Sequence, residues 1–195
     1  MDYRLAHALD SFSAHHDSFE DPLRAYVGAS QIVFAAVLVA LLLLVPGARR
    51  ELARRAAVAA AASLALALLV THLLAGVVDR PRPFVAHPGT IHAFLAHAAD
   101  PGFPSEHSAA AFAIATAVAL RVRSWGAILM VLAVVLAAGR VFLGVHYPSD
   151  VLVGAVIGAC MAALCWIAPI RRRLDALADT AGRRLDAAVK RAVPG

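Results

Sequence analysis

Long apolar runs alternate with short charged segments along this chain, and that alternation limits what it can fold into. Five apolar runs stand out: about Tyr26 to Pro46, Ala56 to Val78, Ser105 to Val122, Trp125 to Leu143 and Asp150 to Ala168. Each approaches the roughly 20 residues that a helix needs to cross the hydrocarbon core of a bilayer. Lipid offers no partner to backbone N–H and C=O groups, so such segments satisfy them within helices. With 61% hydrophobic and 16% charged residues, and a mean hydropathy of +0.74, the chain lies outside the range of soluble domains. The expected fold is all-α: an integral membrane bundle of about five transmembrane helices.

Arginine sets the expected orientation. Arg49, Arg50, Arg54 and Arg55 lie between the first two runs, Arg121 and Arg123 between the third and fourth, and Arg171 to Arg173 after the fifth. With five alternating spans these groups share one side, which the positive-inside rule assigns to the cytoplasm. The net charge of +5 is thus an argument about topology, not about nucleic acid. Trp125 and Trp166 fall at cytoplasmic span ends, as in an aromatic belt. The N-terminal stretch is polar and acidic, without the pattern of a signal peptide. From Asp10 to Pro22 it suits a short interfacial helix on the outer side. Cys160 and Cys165 share one apolar run and are expected as buried free thiols.

The last segment differs. Ile170, Leu174, Leu177, Ala181, Leu185 and Val189 recur at three- and four-residue steps, with Arg183, Arg184, Lys190 and Arg191 on the other face. This reads as a C-terminal amphipathic helix on the anionic cytoplasmic leaflet. The chain therefore divides into a membrane-embedded domain, residues 1–169, and a basic cytoplasmic tail, residues 170–195.

Chemistry concentrates at three span edges on the outer side: Arg80-Pro81-Arg82-Pro83, Pro104-Ser105-Glu106-His107, and Arg140 with His146 and Asp150. A long loop, Asp79 to Pro104, joins the first two, and its Thr90 to Ala98 stretch suits one or two helical turns. Ser105 is a good N-cap, and a helix N-terminus attracts phosphate. Pro148 suits a helix start, from which Asp150 can reach one nitrogen of His146 and leave the other free. Arg140, Arg82 and Arg80 can offer planar donors to phosphate oxygens. Each piece alone also suits a plain structural role: an ordinary helix start, an interfacial capping pair, arginines reaching for headgroups. Together they suit capture and hydrolysis of a phosphate ester or anhydride. His72, mid-span, reads as a packing residue, and no His/Asp/Glu cluster competes as a metal site.

The three pieces resemble the signature of the type 2 phosphatidic acid phosphatase superfamily. That signature runs Lys, six residues, Arg-Pro; then Pro-Ser-x-His; then Ser-Arg, five residues, His, three residues, Asp. The last two pieces match, with Gly139 in place of the serine. In the first, the lysine position falls on Ala75 if Arg82 is the motif arginine, or on Leu73 if Arg80 is. The pocket is then one cation short, and Arg80 is the candidate replacement. Arg82 to His87, His97 to Asp100, Phe103 to His107 and His146 to Asp150 are similar to the bacitracin-resistance-type undecaprenyl-diphosphatases of that superfamily. That resemblance extends over roughly residues 1–170, including the pair His15-His16.

The resemblance implies a metal-independent membrane lipid phosphatase, without cofactor, in the bacterial plasma membrane with its site outside. It implies hydrolysis of undecaprenyl diphosphate to the monophosphate and inorganic phosphate through a phosphohistidine. It makes His146 the nucleophile, Asp150 its orienting carboxylate and His107 the general acid. It gives Arg82, Arg140, Ser105 and Arg80 phosphate contacts and leaves Glu106, where the subgroup usually has Asp, without a role. The same chemistry suits phosphatidylglycerophosphate, phosphatidate or diacylglycerol diphosphate. A non-catalytic lipid binder or transporter would lack His107, His146 or Asp150, and all three are present.

Overall fold

The computed structural model describes residues 1–92, 94–95 and 100–192, apart from the side chains of Asp17 and Lys190. Among the described residues the regular structure is helical: α1 (Asp2–Ala14), α2 (Asp17–Leu43), α3 (Arg50–Ala75), α4 (Pro83–Ala86), α5 (Glu106–Ala119), α6 (Arg123–Phe142), α7 (Pro148–Trp166) and α8 (Ala168–Ala192), with a 3-10 turn at Gly47–Arg49. Four of these are long and apolar enough to cross a membrane: Ser18–Leu43, Gly47–Ala75, Arg123–Phe142 and Pro148–Trp166.

The remaining span, α5, has 14 residues and is only about 21 Å long at 1.5 Å per residue. It starts beside the start of α7, where Ser105 N–H donates to Asp150 O at 3.1 Å. Its far end meets the start of α6, where a Cβ on Gly126 would lie 2.1 Å from Ala119 Cα. It therefore joins the two ends of the bundle despite its length. Its shortness is tolerable because α3, α6 and α7 surround it. Ala109, Ala113, Ala115, Ala117 and Val118 are all buried.

Small residues set the spacing of α5 and α7. A Cβ on Gly154 would lie 2.5 Å from Ser105 O, and one on Gly158 would lie 2.3 Å from Ala109 O. The two backbones are thus in direct contact, as small residues allow in membrane bundles. Ser108 Oγ donates to Val151 O at 2.7 Å and pins the same pair.

The termini depart from expectation. No short helix covers Asp10 to Pro22. Instead α1 ends at Ala14 and α2 begins at Asp17. Phe12 of α1 and Phe19 of α2 both meet Phe142, which holds α1 across the end of α6. The tail begins at Ala168 and is docked by its acidic stripe. Asp186 bonds Arg54, Asp179 bonds Arg55, and Asp175 bonds Arg121. Ala178 and Gly182 are buried between them, while Leu177 and Val189 of the apolar stripe are exposed. Arg121 and Arg171 stack on Trp166 nearby. Both cysteines are free, but Cys160 is exposed and only Cys165 is buried.

In the long loop the short helix lies at α4, with Pro83 in its first turn. The turns expected over Thr90 to Ala98 fall in part, with His97, outside the described residues.

Candidate active site

The α6–α7 turn presents the central imidazole. Gly144 takes φ +70, a conformation that L side chains resist. A Cβ there would also strike His92 O at 2.1 Å. Val145 N–H and His146 N–H both return to Arg140 O at 3.2 Å. Tyr147 then caps α7, and its N–H donates to Asp150 Oδ2 at 2.8 Å.

His146 is 2% exposed. Its Nδ1 lies 2.9 Å from Gly102 O. Its Nε2 lies 3.0 Å from an Arg82 N–H donor and 3.1 Å from one of Arg140. A guanidinium only donates and a carbonyl only accepts, so the tautomer follows: Nδ1 carries the proton and Nε2 the lone pair. Burial, with Arg140 and Arg82 adding to it, holds this imidazole well below its ordinary value of 6.5. It is therefore neutral near pH 7.

Asp150 does not make the direct bond to His146 expected of it. Its Oδ2 stands 3.7 Å from Nδ1, while its oxygens accept from Tyr147 N–H and from Arg80 at 2.7 Å. Gly102 holds the imidazole and Asp150 stands behind it. Gly102 is itself fixed by its N–H on Arg80 O at 2.8 Å.

Arg80 is also not where the sequence places it. It faces Asp150, Ser149 and Asp2 and lies over the Tyr147 ring at 4.1 Å. Asp2 in turn accepts from Ser149 N–H. Burial would raise the Asp2 carboxyl, but bonds from Ser149 and Arg80 outweigh it and leave a net lowering. Arg80 thus supports Asp150 from outside the cavity. Ser105 is fully buried and caps α5 through Ser108 N–H; it does not line the cavity either.

The cavity beneath His146 holds about 370 Å³. Arg82, Arg140 and His146 form one wall, Pro104, Glu106 and His107 another, and His72, Ala75 and Gly76 of α3 a third. Asp100 closes the mouth and bonds Arg82 at 3.0 Å. Through Glu106 and His107 this space adjoins an apolar groove of about 330 Å³ lined by α2, α3, α5 and α6, including Phe34, Leu64, Leu68 and Ile114. Gln31 stands in that groove with its Nε2 3.2 Å from His107 Nε2.

The arrangement places a desolvated imidazole lone pair and two guanidinium groups at one end of a cavity, a second imidazole across it, and an apolar groove beyond. The PAP2 superfamily profile matches residues 56–174, which carry all of these catalytic-side groups. The chain belongs to the PAP2 superfamily.

This PAP2 chain is 34% identical over 158 residues to undecaprenyl-diphosphatase BcrC of Bacillus subtilis, spanning 80% of this chain and 78% of that one. It is 42% identical over 123 residues to the putative undecaprenyl-diphosphatase YbjG of Escherichia coli, spanning 61% and 59%. Aquifex aeolicus LpxE superimposes with a TM-score of 0.67 at 23% identity, over 84% of this chain and 93% of that one. The PAP2-type phosphatidylglycerolphosphate phosphatase of Bacillus subtilis gives 0.59 at 18% identity, over 83% and 82%. At these identities the two structures bear on fold alone. The PAP2 chain is a multi-pass membrane lipid phosphatase, a hydrolase of lipid phosphates.

Of the residues singled out from sequence, the PAP2 cavity gathers Arg82, Glu106, His107, Arg140 and His146, with Asp150 one layer behind. Gly102, Asp100, Asp2 and Gln31 were missed as participants. Asp100 lay within a motif already quoted and Gly102 between two of them, while Asp2 and Gln31 carried no local signal. His72 lines the cavity instead of packing within the span. Among the described residues, no group of three or more His, Cys, Asp or Glu is arranged to hold a metal ion.

Proposed function

We propose that the chain hydrolyses undecaprenyl diphosphate to undecaprenyl phosphate and inorganic phosphate through a phosphohistidine on His146. The observation that carries this reading is the His146 tautomer: Nδ1 is tied to Gly102 O and the Nε2 lone pair faces the arginines. When a terminal phosphate enters, its anionic oxygens take the Arg82 and Arg140 donors from Nε2, because charged acceptors bind more strongly than neutral ones. The lone pair is then released toward phosphorus.

Nε2 attacks the terminal phosphorus, the bond to the bridging oxygen breaks, and His107 gives its proton to that oxygen. Undecaprenyl phosphate leaves. Water then attacks the phosphohistidine and passes a proton to His107, the N–P bond breaks, and inorganic phosphate departs. Asp150 and Gly102 O stabilise the charge that develops on the His146 ring. Arg82 and Arg140 hold the equatorial oxygens of the transition state. Arg80 and Ser105, first expected at phosphate, act here as supports for Asp150 and for the start of α5.

The substrate reading is supported by the likeness to BcrC and by the apolar groove of about 330 Å³ that adjoins the cavity at His107. In this reading the membrane is the bacterial plasma membrane. The site faces outward, and the tail from residue 170 lies at the cytoplasmic face.

Phosphate release from undecaprenyl diphosphate tests the reading, beside a panel of phosphatidylglycerophosphate, phosphatidate and diacylglycerol diphosphate, with chelator present. Preferred release from the isoprenyl diphosphate, with label trapped on wild type and absent from His146→Ala, is the expected outcome. Preference for a glycerolipid phosphate reassigns the substrate, and label retained by His146→Ala removes the nucleophile.

A further inference from the structure

The α3 wall of the cavity is nearly bare. Ala75 offers a methyl group and Gly76 a hydrogen, so His72 is the polar side chain of that wall. Among the described residues the His72 ring takes part in no hydrogen bond or ion pair. It stands in the last turn of α3, where the helix dipole favours a cation.

Charge in the cavity gives this ring a purpose. Arg82 and Arg140 bring two positive charges, and Asp100 and Glu106 bring two negative ones, so with neutral imidazoles the lining sums to zero. His146 stays neutral for the reasons given above. A terminal phosphate arrives with about two negative charges near pH 7. One proton is held by His107 for the leaving group. The remaining imbalance falls to the one other imbalance-correcting group that faces the cavity from α3.

We propose that His72, protonated, binds the terminal phosphate of the substrate from the α3 side, in place of the cation that Ala75 does not provide. The proposal rests on the lipid-phosphatase reading above. The groups facing His72 across the cavity are Arg82, Asp100, Glu106, His107, Arg140 and His146.

The test measures KM and kcat for undecaprenyl diphosphate over about pH 5.5 to 8.5 in wild type, His72→Ala and His72→Lys. His72→Ala raises KM about tenfold, with a smaller change in kcat. His72→Lys keeps KM near the wild-type value, because lysine supplies a cation from the same wall. Superimposable KM profiles for the three proteins overturn the proposal while leaving the phosphatase reading intact.

If wild type releases phosphate from no lipid phosphate, the phosphatase reading falls, and inorganic phosphate decides His72 by itself. In histidine-labelled protein, a phosphate-dependent change in an imidazole resonance that is missing in His72→Ala upholds the anion contact. An unchanged spectrum overturns it.

Discussion

Arginine meets aspartate at both ends of the bundle, with opposite consequences. At the α8 end, Arg54 gives two N–H groups to Asp186 at 2.9 and 2.7 Å and a third to Leu42 O. Arg55 gives two to Asp179 at 2.8 Å. The cavity there, about 510 Å³, is larger than the catalytic one, yet these two guanidinium groups are each held by a carboxylate. At the other end, Arg82 also gives two N–H groups to a carboxylate, Asp100, but Arg82 and Arg140 each direct a further N–H at the lone pair of a neutral imidazole. A phosphate displaces a neutral acceptor far more readily than a carboxylate. The N–H groups aimed at the neutral imidazole are therefore the ones an arriving anion takes over most readily. Arg80 illustrates the rule within the site itself. It is held by Asp2 and Asp150 and so acts as scaffold.

The sharpest way to break this contrast is His146→Ala. Turnover and phosphoenzyme are both lost, as measured by phosphate release and label trapping. His107→Ala is next and lowers kcat about 100- to 10,000-fold, the usual contribution of general acid catalysis. A substrate with a more acidic leaving group recovers part of that loss.

Arg80→Ala sharpens the scaffold reading. It lowers kcat about tenfold through Asp150, with little change in KM. Asp2→Asn acts in the same direction, and the double variant is less than additive because both act through one network. Equal losses in KM and kcat would instead put Arg80 on the phosphate.

The pH profile tests the neutral imidazole. The acidic limb of kcat/KM lies below the ordinary histidine value of 6.5, because burial and the two arginines favour the neutral ring. The sign for stability is the same. The folded state prefers the neutral form, so the contribution of His146 is present above its unfolded value and is lost as pH falls toward the folded one.

The smallest effect is expected at the other end. Arg54→Ala lowers the melting temperature by about 2–4 °C, as a loss of about 1 kcal/mol does in a chain this size. Activity per folded molecule stays at the wild-type level. A drop in kcat would mean that the α8 clamp reaches the site.

Much of this was legible in the sequence. The apolar runs gave the helices, and the motif spacing brought Arg82, His107, Arg140 and His146 to one place, because the last three sit within a turn of a span end and Arg82 lies in the loop that follows α3. Three features were not legible, for different reasons. The partner of His146 Nδ1 is a backbone carbonyl, Gly102 O, and side-chain spacing says nothing about carbonyls. Arg80 and Arg82 differ by two positions and point to opposite sides of the turn, which only the fold of the loop decides. Asp2 reaches Ser149 across 147 residues of the chain. The docking of α8 was readable but overlooked: Asp175, Asp179 and Asp186 are spaced by four and seven, which lines them along one helical face.

The glycine contacts between α5 and α7 bear on how such an enzyme can change. His107 rides on one of these helices, and His146 and Asp150 sit at the start of the other. With backbone against backbone at Gly154 and Gly158, the proposed acid and nucleophile share a single mount, and almost any larger side chain there separates them. The α2 and α3 walls carry no such constraint. Variation that retunes which lipid is accepted has room in the apolar groove, at the Gln31 position, while the reacting pair stays fixed. Fixed chemistry and adjustable selectivity thus occupy different helices.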